Sequence, residues 1–161
     1  MKSFILIFLF GFNFTVFAQT SQIANLLNEQ FQKEYNKYLD EYDREMFQIV
    51  KPFEIDSDDN LTFTFISKSS DEDYDQITRK VNLSKIKQID KDYNVVFVTE
   101  NDDVEEITLQ FRNGTQRELT QNTHLFHTEI NRETKNTKFR DKIIKAFKKS
   151  GFIISSEYWW D

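Results

Sequence analysis

The chain has 161 residues, no cysteine and a formal net charge of −6. The missing cysteine excludes a disulfide framework, a thiolate metal site and a thiol nucleophile. The acidic balance argues against the phosphate backbone of nucleic acid as a partner and against adsorption to anionic lipid. Three glycines and one proline suit strands joined by short polar turns rather than a disordered or collagenous chain.

Residues 1–18 have the three-part layout of a secretory leader. Lys2 gives a basic start, residues 4–17 form an apolar run broken only by Gly11, Asn13 and Thr15, and Val16-Phe17-Ala18 puts small residues where a signal peptidase reads. The run falls short of the roughly 18–20 residues that span a bilayer. The expectation is cleavage after Ala18, a single α+β domain over residues 19–161, and a periplasmic or secreted location with no stable membrane anchor.

Residues 21–42 read as an amphipathic helix. Ile23, Leu26, Leu27, Phe31, Tyr35, Tyr38, Leu39 and Tyr42 recur at three- and four-residue steps, opposite Asn28, Glu29, Gln32, Lys33, Asn36, Lys37 and Asp40. From Phe47 the period becomes two. Phe47, Ile49, Phe53 and Ile55 flank Lys51-Pro52, and a proline that cannot donate to a ladder predicts an edge or bulged strand. Residues 56–60 make a turn, and Leu61, Phe63 and Phe65 alternate with Thr62 and Thr64 in a half-buried strand. Residues 74–83 form another strand, and 83–90 are a turn of helix or more strand. Asp90-Lys91-Asp92 turns the chain into the apolar run Val95-Val96-Phe97-Val98, the expected central strand. Val104, Ile107, Leu109 and Phe111 mark the next strand. Asn113-Gly114 is a tight-hairpin signal leading to a return strand over 115–120. Leu125 and Phe126 are the buried candidates of residues 123–130.

The last helix is expected over residues 136–150. Phe139, Ile143, Ile144, Ala146 and Phe147 form its apolar face, and Lys138, Arg140, Lys142, Lys145, Lys148 and Lys149 its basic outer face. Gly151 stops it, and Phe152-Ile153-Ile154 reads as a final short strand. The layout is therefore an N-terminal helix, an antiparallel sheet of six to seven strands, and a C-terminal helix covering it. The stretch 81–147, with its Leu83-Ser84-Lys85-Ile86 turn and its strands at 95–98 and 107–111, resembles the pleckstrin-homology-like superfold. That resemblance implies a curled sheet and fixes no function. A cystatin-like or NTF2-like open sheet is the second choice.

No motif for catalysis emerges. Asp56, Asp58 and Asn60 have the spacing of half a calcium loop, but Leu61 stands where glycine is needed and Ser67 where the bidentate glutamate belongs. His124 and His127 lie three apart near Glu129. On a strand that spacing sends them to opposite faces, and further zinc ligands are lacking. No Gly-x-Ser-x-Gly elbow or phosphate-cradling glycine loop occurs. No cofactor, metal or catalytic residue is assigned.

Two features stand out as partner-binding candidates. One is the lysine face of the last helix, with Lys142, Lys145 and Lys149. The other is the tail Tyr158-Trp159-Trp160. Neighbours on a strand point to opposite sides, which predicts one tryptophan plugging the core and the other meeting water or a partner. The leading expectation is an exported, non-catalytic binding protein of the bacterial envelope with a protein partner, of the inhibitor or immunity type. One alternative is a carrier that holds a small apolar ligand among Phe63, Phe65, Phe97, Leu109 and Phe111. The other is a hydrolase acting through clustered carboxylates.

Overall fold

The computed structural model describes residues 3–160 apart from 39, 71 and 135, and among those residues the side chains from residue 20 onward except those of 41 and 42. The order is α1 (Ser3–Tyr38), α2 (Glu41–Met46), β1 (Phe47–Ile55), β2 (Asn60–Lys68), β3 (Tyr74–Asn82), a 3-10 turn (Leu83–Lys85), β4 (Ile86–Lys91), β5 (Val95–Thr99), β6 (Val104–Arg112), β7 (Thr115–Thr123), β8 (Leu125–His127) and α3 (Thr137–Lys149). The fold is α+β, with helices at both ends of an antiparallel assembly. The strands divide into an open five-stranded sheet, β1-β2-β3-β6-β7, and a three-stranded sheet, β4-β5-β8. The curled continuous sheet of the resemblance thus appears as two open sheets. Among the described residues no helix is long and apolar enough to cross a membrane. The leader read at residues 1–18 falls on side chains outside those described.

Packing follows the expected apolar positions on α1 as far as Tyr35. Ile23, Leu27 and Phe31 are buried, whereas Tyr38 is exposed. Phe31 meets Phe63 at 5.8 Å between ring centroids, and Phe63 stacks on Phe53 at 4.2 Å. One polar residue of the nominal outer face also turns inward. The Asn28 amide donates to the Phe53 carbonyl and accepts from the Phe53 N–H, both at 2.9 Å. The β1–β2 register shifts twice around Lys51-Pro52, so Asn28 satisfies backbone groups where the bulged strand departs from a regular ladder. Buried Glu34 acts similarly, accepting the Asn131 and Arg132 N–H groups at 2.9 and 2.7 Å. It fastens α1 to the loop before α3.

On the other side, α3 covers the small sheet. Phe139, Ile143, Ala146 and Phe147 are its buried residues, and Phe147 meets Phe97 of β5 at 5.5 Å. The helix occupies Thr137–Lys149 with Asn136 as N-cap. Segment 83–90 resolves into the 3-10 turn followed by β4.

One buried cation joins the two sheets. Arg79 of β3 is 8% exposed. Its Nε donates to Glu106 at 2.6 Å, and its Nη1 donates to the His127 carbonyl at 2.7 Å and to the Glu129 carboxylate. Burial acts to raise the Glu106 pKa. Hydrogen bonds from Arg79 and Gln121, with the Arg79 charge, outweigh it and hold the carboxyl below its ordinary value. Glu129 has a positive φ of 61°, and its ion pair with Arg79 helps fix that unusual backbone. Replacing Arg79 by Ala would leave two shielded carboxylates uncompensated. Urea denaturation should show Arg79→Ala destabilised by about 3–5 kcal/mol, with Arg79→Lys recovering only part because it lacks the planar fork.

Candidate functional site

The three most exposed aromatic residues among those described, Tyr93, Tyr158 and Trp160, gather on the outer face of the small sheet, through the pleat of three strands and the tail. Cross-strand register sets the rows. Asp90, Val96 and His127 lie side by side, as do Gln88, Val98 and Leu125. Ile89, Phe97 and Phe126 form the intervening row, which faces α3 and is buried. The outer face therefore has a floor of Val96, Val98 and Leu125, flanked by His127.

The C-terminal tail walls this floor. No strand forms at 152–154; the tail instead makes two isolated bridges further on. Ser155 bridges Gln88, and Trp159 bridges Lys91, both in parallel orientation. Ile89 N donates to the Ser155 carbonyl, Lys91 N to the Tyr158 carbonyl and Trp160 N to the Lys91 carbonyl, at 2.9, 2.9 and 3.0 Å. Between the two bridges the tail carries one residue more than β4, and the excess is accommodated as a bulge. The Asp90 carboxylate fills it, accepting the Glu157 and Tyr158 N–H groups at 2.9 and 3.2 Å. Once Trp159 is registered on Lys91, strand alternation sends Tyr158 and Trp160 to the other side.

The two tryptophans consequently have different environments. Trp159 is partly buried, its Nε1 donating to Asn136 Oδ1 at 3.1 Å. Lys91 Nζ and Arg140 Cζ stand 6.0 and 5.8 Å from its ring, within cation–π range. Trp160 is 67% exposed, Tyr158 59% and Tyr93, on the β4–β5 turn, 85%. Together with the floor they border an open trough of about 520 Å³. Aromatic walls over an aliphatic floor, held on paired backbone, suit apolar contact with few directional bonds.

Lys91 departs from the sequence reading. Expected in a polar turn, it closes β4 and is buried at 4% exposure. Its Nζ donates to the Glu133 carbonyl at 2.7 Å and to Asn136 Oδ1 at 3.3 Å. The flanking aspartates masked it as a turn residue, and nothing in the spacing distinguished it. Arg79, Asn28 and Glu34 were hidden because the burial of a polar residue leaves no mark in the spacing.

The other candidates lie elsewhere. Lys142, Lys145 and Lys149 border a groove between α3 and α1 with Gln22, Asn25 and Glu29, on the helix side of the small sheet. The structure brings these lysines together with one another and separates them from Tyr158 and Trp160. Phe63 and Phe65 face α1, and Phe97 faces α3. Leu109 and Phe111 lie on the opposite face of the large sheet, paired with Gln76 and Tyr74. Those five side chains do not surround one cavity, because the β6 pleat turns Leu109 and Phe111 away.

The polar candidates are engaged locally. Asp56 accepts from Asp58 N and Asn60 N at 2.9 Å and from the Asn60 amide. Those bonds, led by the Asn60 side chain, hold its carboxyl below the ordinary range. His124 sits 3.8 Å from Asp102, while His127 borders the trough. Among the described residues no three His, Asp or Glu side chains form a metal-binding group. A second hollow of about 180 Å³ lies between α1, α2 and the β1–β2 end. The acid on its wall, Glu34, is occupied by the Gln30 amide and the two loop N–H groups.

No family model, curated protein or solved structure matches the chain.

Two outcomes follow from this geometry. Trp159→Ala should cost about 3 kcal/mol, at the low end for a large aromatic because the ring is only partly buried, whereas Trp160→Ala should stay within about 0.5 kcal/mol. Chemical denaturation of both variants checks the contrast. His127 is held below the ordinary imidazole value of 6.5, first by burial and then by the Arg79 charge, against the pull of Glu129 and Glu106. Its proton therefore binds the unfolded chain first. Stability should fall as the pH is lowered through about 6.5 toward the depressed folded value. The lowered carboxylates Glu106 and Glu133 act only below their ordinary 4.5. Urea midpoints between about pH 7 and 5 should slope in the wild type and flatten in His127→Gln.

Proposed function

We propose that this is an exported, non-catalytic binding protein of the bacterial envelope. Its trough would receive an apolar or aromatic segment of a protein partner. The observation carrying this reading is the exposure of Tyr93, Tyr158 and Trp160 around one apolar floor. Aromatic residues presented by a fixed backbone are the side chains that anchor protein interfaces. Two of the three sit on a tail pinned by Asp90, so little conformational freedom is lost on binding. The basic start, apolar run and small residues of 1–18 support export.

The lysine groove is separated from this surface, so Lys142, Lys145 and Lys149 would contribute only to a distinct contact. Native mass spectrometry of the protein purified gently from its own host tests the reading. An adduct of the mass of a different protein, present with the wild type and lost with Trp160→Ala, is the expected result. Its absence from both would contradict the reading, and an adduct of small-molecule mass released on denaturation would favour the carrier alternative.

A further inference from the structure

The sheet edges of this molecule are treated unequally. At one end of the large sheet, β1 carries Lys51-Pro52 and two register shifts, devices that spoil an edge for pairing. In the small sheet, β4 is covered by residues 155–160, and β8 is only three residues long. The far end of the large sheet has none of these protections. There β7 runs nine residues from Thr115 to Thr123, without proline or lysine. It pairs with β6 residue for residue from Arg112↔Thr115 to Val104↔Thr123, with no shift. Every residue from 115 to 122 is exposed, so neither side of the strand is packed under another element.

The free backbone groups of this edge can be assigned. Asn113 and Gly114 have φ of 50° and 75°, the double positive φ of a tight two-residue turn. Such a turn makes Arg112 and Thr115 a hydrogen-bonded pair, and the pairing alternates from there. Residues 115, 117, 119, 121 and 123 therefore point their N–H and C=O toward β6. Gln116, Glu118, Thr120 and Asn122 point theirs outward.

We propose that β7 is a homodimer edge: two copies pair antiparallel through it, about a two-fold axis normal to the sheet at Leu119, into one continuous ten-stranded sheet. The strand's own sequence selects that register. With Leu119 opposite Leu119 of the second copy, all nine residues are paired. Gln116 lies opposite Asn122, Arg117 opposite Gln121 and Glu118 opposite Thr120, and no like charges meet. The outward groups of the four even-numbered residues then make about eight inter-chain hydrogen bonds. Moving the axis to residue 118 sets Glu118 against Glu118, and moving it to 117 sets Arg117 against Arg117, both unfavourable. Moving it to Thr120 leaves two residues unpaired. A mainly polar strand with one centred, charge-compatible self-register fits a second copy better than an unrelated strand.

Sedimentation velocity across micromolar concentrations, on the exported chain, should give the dimer mass for the wild type. Thr120→Pro should give the monomer mass while keeping a cooperative thermal melt, because it removes an outward N–H and leaves the β6 ladder intact. A single cysteine is unique in this chain, which allows the register to be read independently. At the axis Leu119 is a non-hydrogen-bonded pair with Cα atoms about 4.5 Å apart, within disulfide reach. Leu119→Cys should oxidise to a covalent dimer. Thr115→Cys alone should not, but should cross-link when mixed with Thr123→Cys. A wild type that stays monomeric, a dimer that survives Thr120→Pro, or Thr115→Cys linking to itself as readily as Leu119→Cys would overturn the proposal. Should Thr120→Pro fail to fold, the cysteine series decides.

Discussion

The pairing of the C-terminal tail with β4 is the constraint on which the exposed chemistry depends. Backbone bonds register Trp159 on Lys91, and the pleat then allows only one arrangement of its neighbours. Trp159 turns inward, where its indole N–H, the Lys91 ammonium and the Asn136 side chain meet. Tyr158 and Trp160 turn outward over Val96, Val98 and Leu125. A slip of one residue would exchange the two sets, burying what is now presented and exposing what now closes the core. Asp90 opposes such a slip, because its carboxylate is fitted to the one extra residue of the bulge.

A second buried cation performs the corresponding task between the sheets. Arg79 reaches from β3 to Glu106 on β6 and to the backbone and carboxylate of the segment leaving β8. Its bond to the His127 carbonyl links the inter-sheet staple to a strand that also lines the trough. Burying a guanidinium is costly in isolation, and here several hydrogen bonds and two carboxylates offset the loss of water. The trough is thus presented by a small sheet that Arg79 ties to the large one.

The sequence conveyed what periodicity can convey. Alternation marked β2 and β6, a continuous apolar run marked β5, Asn113-Gly114 marked the hairpin, and Pro52 marked the damaged edge. The apolar steps marked α3 and the buried part of α1. Pattern alone could not reveal which face of a strand would be covered. Leu109 and Phe111 look like core residues by spacing, yet the register of β6 on β3 places them with Gln76 and Tyr74 on the side away from α1. Buried polar residues were equally invisible. Lys91 sits between two aspartates like any turn lysine, and Arg79 sits among threonine, glutamine and lysine. Their burial is decided by partners more than 20 residues away. Of the site itself, the opposed orientation of Trp159 and Trp160 was legible from strand alternation, whereas Tyr93 and the valine floor required the fold.

The orientation of the two tryptophans can be measured directly. Acrylamide quenching of Trp159→Phe reports Trp160 alone, and quenching of Trp160→Phe reports Trp159 alone, since the chain has two tryptophans. Trp160 should give red-shifted, readily quenched emission and Trp159 blue-shifted, protected emission. Equal quenching of the two, or the reverse order, would contradict the registered tail and with it the trough.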